Sequence, residues 1–197
     1  MPRQSAPREF AVTLPTRDPR LVAFFLIAIP ELLAFAAVFV ALRSGHVAPA
    51  LQPSVFVNGL IAVPMAVILA ITIAIVFWAV QRRQIVLRDG VLDVTAAMFR
   101  RKLPITAFDL DKALVVNLDE RKEWRPFLKS GGFGIPGLSA GWFRNRSFVK
   151  MFCLLTVRSH VLVLPELTGG ATLLSAERPQ QLLDALRETA DASRRAS

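Results

Sequence analysis

Two long apolar runs near the N-terminal end constrain this chain more than any other feature. Residues Leu21–Leu42 read LVAFFLIAIPELLAFAAVFVAL, with Glu31 as the single ionisable group, and Val55–Val80 read VFVNGLIAVPMAVILAITIAIVFWAV with no charge at all. As helices they would be roughly 33 and 39 Å long at about 1.5 Å per residue, against a hydrocarbon core of about 30 Å. The expectation is therefore a two-helix transmembrane hairpin, with Arg43–Ser54 as an outer loop. A cleavable signal peptide is the competing reading of the first run, but no A-x-A-like site follows it. Apolar residues make up 53% of the chain, yet its net charge is +9, a combination that needs segregated apolar and charged segments.

Basic residues set the expected orientation. Arg3, Arg8, Arg17 and Arg20 precede the first run, Arg82, Arg83 and Arg88 follow the second, and only Arg43 lies between. This predicts a multi-pass cell membrane protein with both termini cytoplasmic. Glu31 falls near the expected midplane, where a carboxylate needs a partner. Thr72, a carbonyl freed by Pro30 or a second copy of the chain are candidates, and a proton-pathway role is the sharper alternative.

From Gln84 the pattern alternates as strands do. Seven strands are expected: Gln84–Arg88, Val91–Ala96, Met98–Leu103, Ala113–Leu118, Ser147–Val157, His160–Pro165 and Thr172–Ser175. Asp89-Gly90 is a strong hairpin signal between the first two, and Ser159 leaves room only for a tight hairpin between the fifth and sixth. Pro179–Ala192 places Leu182, Leu183, Leu186 and Ala190 on one helical face. The expected segments are thus 1–20 (N-terminal segment), 21–42 and 55–80 (membrane helices), 43–54 (outer loop), 82–192 (β domain) and 193–197 (tail).

The stretch Gly132–Pro165, GFGIPGLSAGWFRNRSFVKMFCLLTVRSHVLVLP, with LLSAERPQQLLDAL at Leu173–Leu186, resembles bacterial pleckstrin-homology-like (PH-like) domains of membrane proteins. The resemblance spans about residues 82–192. It implies a PH-like seven-strand β sandwich or barrel closed by a C-terminal helix, a binding or scaffolding role and a place in the bacterial inner membrane. Ala176 and Arg178 depart from the family's helix entry. Phosphoinositide-binding relatives grip the headgroup in a long loop between the first two strands, and the two-residue Asp89-Gly90 turn leaves no room for that pocket.

No catalytic constellation can be assembled. Gly132–Gly137 satisfies G-x-G-x-x-G, but no helix pattern follows to present N–H groups to a pyrophosphate. Gly131, Gly132, Gly134, Gly137 and Gly141 are read instead as serving backbone conformations closed to other residues. With one cysteine, Cys153, and two histidines, His46 and His160, neither a disulfide nor a four-ligand zinc site of the usual kind is expected. No cofactor is implied, and the chain reads as no enzyme. In FRRKLP, alternation sets Arg101 opposite Arg100 and Lys102.

The segment Asp119–Arg146, 28 residues, reads as a long loop in which cations and rings interleave. The candidate surface for lipid or partner is Arg121, Lys122, Trp124, Arg125, Phe127, Lys129, Trp142, Arg144 and Arg146. Anionic headgroups beside a tethering membrane would reward it, whereas Trp124, Phe127 and Trp142 could equally close the sandwich. The expected function is a non-catalytic protein that binds or scaffolds at the membrane face, through lipid headgroups, a protein partner or a homo-oligomer, without nucleic acid. The alternative is an accessory subunit of a transporter or envelope-synthesis complex, and a membrane-bound enzyme comes third.

Overall fold

The computed structural model describes residues 7–15, ten separate positions between 22 and 40, and residues 55–196, of which 55–62, 65, 76, 79, 80 and 196 are described in backbone alone. Residues 1–19 and 81–197 form one compact unit and residues 20–80 another.

In the second unit, helix α1 spans Val55–Gln81 with Pro64 inside. The Thr72 hydroxyl bonds back to the Ile68 carbonyl at 2.9 Å. Helical backbone is also described at positions between 22 and 40, among them Glu31, which is half-buried. Among the described residues no helix is long and apolar enough to cross a membrane. This overturns the expected transmembrane hairpin, and with it the multi-pass inner-membrane placement and the cytoplasmic assignment of the termini. Hydropathy read along a sequence shows only that an apolar helix could form, not that the folded chain presents one long and apolar enough to cross. The outer loop Arg43–Ser54, His46 and the flanking Arg3, Arg17 and Arg20 lie outside the described residues.

The other unit is built from strands β1 (Arg8–Phe10), β2 (Arg83–Arg88), β3 (Val91–Ala96), β4 (Phe99–Pro104), β5 (Leu114–Val116), β6 (Leu128–Ile135), β7 (Leu138–Arg144), β8 (Lys150–Leu155), β9 (Val161–Pro165) and β10 (Ala171–Leu174), followed by helix α2 (Pro179–Ala196). They form a four-stranded sheet, β1-β2-β3-β4, and a six-stranded sheet, β5-β9-β10-β8-β7-β6. This corrects the expected seven-strand PH-like sandwich in three places.

First, the N-terminal segment is part of the unit: β1 pairs antiparallel with β2, Glu9 opposite Val86. Beyond it, the Thr13 N–H donates to the Ser175 carbonyl and the Glu177 N–H to the Ala11 carbonyl, both at 2.9 Å. Second, the 28-residue stretch is no loop, because most of it is the β6–β7 hairpin, turned at Pro136-Gly137 with Ile135 opposite Leu138. Third, β8 and β9 are not a hairpin. Strand β10 lies between them, parallel to β8 and antiparallel to β9, so the Thr156–His160 connection must cross the width of a strand, which a two-residue turn does not do.

Alternation explains the first sheet. Ile85 and Leu87 of β2 and Leu92, Val94 and Ala96 of β3 are buried, while Asp93 and Thr95 between them are half-exposed, as expected for a sheet with one covered face. Asp89 (φ +49°) and Gly90 (φ +73°) make the β2–β3 turn, the left-handed pair such a two-residue hairpin requires.

In the six-stranded sheet Met151–Leu155, Val161–Leu164 and Ala171–Leu174 are buried without alternation, the pattern of strands covered on both faces. One face holds Met151, Cys153, Leu155, Val163 and Leu173, with Val116, Leu118 and Phe143 closing around them and Trp124 packed alongside. Phe152, Leu154 and Leu162 point to the other face by the period of two. Strands β3 and β4 of the first sheet reach this sheet at β8 and β7, and α2 reaches β9 and the turn Ile105–Ala107. Helix α2 starts at Pro179 and buries Leu182, Leu183, Ala185 and Leu186.

Candidate binding surface

The β6–β7 hairpin carries three of the nine candidate residues, Lys129, Trp142 and Arg144, and its glycines determine how it is built. Gly132 lies opposite Gly141, and Gly141 has φ +102°. A Cβ on Gly141 would lie 2.8 Å from Gly132 Cα and from the Phe99 ring, and one on Gly132 would lie 2.8 Å from the Ala140 carbonyl. The two strands therefore approach closely under the Phe99 ring because neither residue has a side chain. The G-x-G-x-x-G match is a strand and a turn, with no helix N-terminus beside it. Gly131 and Gly134 have no positive φ and meet only ordinary contacts, at 3.8 to 3.9 Å, so the conformational reading holds for Gly137 and Gly141, and Gly132 serves close approach.

The nine candidate residues divide four ways. Trp142 is half-buried and packed: the Arg101 guanidinium carbon lies 4.5 Å and the Lys150 Nζ 4.3 Å from its ring centroid, and Phe152 meets it edge-on at 5.2 Å. Trp124 is also inward, packed on the core of the six-stranded sheet. Arg121 and Lys122 are exposed on the short turn Lys122–Trp124, where Arg121 pairs with Glu123 at 3.3 Å. Arg125 lines an open cleft of about 780 Å³ between the hairpin tip, Asn117–Asp119 and Leu155–Ser159. In that cleft Arg158 is engaged by Asp119 at 3.4 Å.

The remaining four do come together at the open end of the hairpin. Phe127 donates its N–H to the Arg144 carbonyl at 2.8 Å, and the Arg146 guanidinium carbon is 5.8 Å from the Phe127 ring centroid. Arg144 reaches the Phe148 carbonyl at 3.3 Å, and Lys129 lies one residue along β6 from Leu128, which faces Arg144. Sequence reasoning missed two further exposed apolar residues at this end of the hairpin, Phe148 (65% exposed) and Leu128 (48%), in addition to Phe127 (67%). Phe148 sits in the β7–β8 turn with φ +60°, held there by Asn145, whose amide accepts the Val149 N–H at 2.8 Å and donates to the Glu123 carbonyl at 2.9 Å.

A second cluster, also missed, joins the sheets. Arg101 faces inward and grips Glu166 through two bonds of 2.7 and 2.8 Å, and the Thr172 hydroxyl adds a third to Glu166 at 3.1 Å. Arg100 and Lys102, on the opposite face of β4, both engage Asp93. The Arg100 hydrogen bond and charge hold the Asp93 carboxyl below its usual range, with Lys102 helping and partial burial opposing. Alternation had set Arg101 apart, but nothing in the sequence connects it to Glu166. Burial alone pushes the Cys153 thiol far up, so it is a packed apolar group rather than a nucleophile.

Among the described residues no three His, Cys, Asp or Glu side chains are grouped to hold a metal ion. No family model, no curated protein and no solved structure matches this chain, so none of these comparisons bears on the resemblance to PH-like domains.

Proposed function

We propose that this chain is a non-catalytic binding module whose ligand is an acidic segment of a partner protein, received at the open end of the β6–β7 hairpin. The observation that carries this reading is the exposure of three large apolar side chains, Phe127, Leu128 and Phe148, around the open end of the hairpin, where Lys129, Arg144 and Arg146 also lie. Large apolar side chains left together in water favour an interface that covers them, and the cations around them select the sign of what does so. Across Asp119–Arg146 six cations stand against three acids, and the whole chain carries +9. The cleft at the other end of the hairpin supports this less well, because its Arg158 is engaged by Asp119.

The test is fluorescence anisotropy of the full chain with a labelled acidic peptide, against a basic peptide of the same length and against vesicles of anionic and neutral phospholipid. Salt-sensitive binding of the acidic peptide, lost in Phe127→Ser and in Arg146→Glu, is the expected result. Binding to anionic vesicles without binding to the peptide would transfer the surface to lipid headgroups and overturn the protein-partner reading.

A further inference from the structure

We infer that the outer edge of β6 is a strand-addition site, which takes the acidic partner segment as an extended strand continuing the six-stranded sheet. This rests on the binding reading above and adds the conformation of the ligand and the groups that hold it. Strand β6 ends the sheet order, pairs with β7 alone and runs for eight residues. Among the described residues its Ser130–Gly134 backbone makes no hydrogen bond outside that ladder.

The hairpin turn fixes which groups are free. Ile135 and Leu138 flank a two-residue turn and exchange their bonds, so Gly134, one step along, points its N–H and C=O to the outer edge, and Gly132 does the same two residues further. With no side chains at 132 and 134, another backbone can approach this edge without obstruction.

The other edges are blunted in ways this one is not. Strands β1 and β5 are three residues long. Strand β4 reads FRRKLP and exposes Arg100, Lys102 and Pro104, the charges and proline that discourage pairing. Strand β6 carries no charge from Ser130 to Ile135. Charge chooses the occupant: a second copy would bring another +9 and its own Lys129 to the same edge, whereas an acidic strand meets Lys129, Arg144 and Arg146 with opposite sign.

The probe is a peptide alternating Glu and Val, titrated into the full chain. Gly134→Pro removes the outward N–H and blocks the edge while leaving the β6–β7 bonds in place, since that N–H is not part of the ladder. Strand addition predicts binding weakened about tenfold or more by Gly134→Pro, and weakened as much when the peptide is N-methylated along one edge. It also predicts slowed hydrogen exchange at the Gly132 and Gly134 amides on peptide addition. Peptide binding that Arg146→Glu abolishes but Gly134→Pro, shown folded by its thermal transition, leaves intact would overturn strand addition and keep the binding surface. Absence of peptide binding would overturn both. Concentration-dependent self-association that Gly134→Pro abolishes would replace the acidic partner with a second copy.

Discussion

Replacing Gly141 with alanine puts a methyl group where the hairpin has no room for one. The new Cβ would lie 2.8 Å from Gly132 Cα, 2.8 Å from the Phe99 ring and 2.9 Å from the Gly131 carbonyl, on a residue with φ +102°. Holding an L-residue in a sparsely populated backbone region costs about 1–3 kcal/mol, and forcing extra volume into a packed site costs about 1–3 kcal/mol more. Two of the three contacts are backbone and cannot swing away, so the expected loss is in the upper half of that range, roughly 4 kcal/mol. Two controls separate the causes. Gly169 also has positive φ, +86°, but open space around it, so Gly169→Ala should show the conformational cost alone, about 1–2 kcal/mol. Gly134→Ala faces neither problem and should fall within about 0.5 kcal/mol of the parent or gain slightly from a less flexible unfolded chain. The assay is urea unfolding of the full chain followed by tryptophan fluorescence, since Trp142 lies on the strand being distorted. If Gly141→Ala cost no more than Gly169→Ala, the close approach of β6 and β7 would not be what the glycines provide.

Three further outcomes follow from the packing and the charges. Arg101→Met strands Glu166, whose side chain is 5% exposed, with Thr172 as its remaining partner, and should cost about 3–5 kcal/mol in the same unfolding assay; adding Glu166→Gln should recover much of the loss, and a double variant no better than the single one would refute the coupling. Cys153, fully buried with its thiol pushed up by desolvation, should resist alkylation at mildly alkaline pH until the protein unfolds, so labelling that outruns unfolding would contradict the assigned core. Asp93 has its carboxyl lowered chiefly by the Arg100 hydrogen bond, so its contribution is present above the unfolded carboxylate range near pH 4 and fades as pH falls through the lower folded value; Asp93→Asn should flatten the acid limb of the stability–pH curve, and an unchanged limb would count against the pairing.

The binding patch was partly legible in the residues themselves. Interleaved cations and rings mark Phe127, Lys129, Arg144 and Arg146 as candidates, but exposure is decided by packing. Trp124 and Trp142 have the same composition signal and went inward, one against the core of the six-stranded sheet and the other beneath Arg101 and Lys150. Phe148 carries no signal of its own, since its exposure comes from a turn held by Asn145.

By itself the sequence determined what depends on neighbours along the chain: the Asp89-Gly90 hairpin, an apolar strand within Ser147–Val157, the placement of Arg101 opposite Arg100 and Lys102, and the amphipathic helix beginning at Pro179. Only the tertiary structure decided what depends on contacts between distant residues. It inserted β10 between β8 and β9, brought β1 to the edge of β2, joined Arg101 to Glu166 and, among the described residues, left no helix long and apolar enough to cross a membrane. Strand β6 shows the reason most clearly: a glycine-rich strand has too few side chains to display a period of two, so its pairing is visible only when β7 lies beside it.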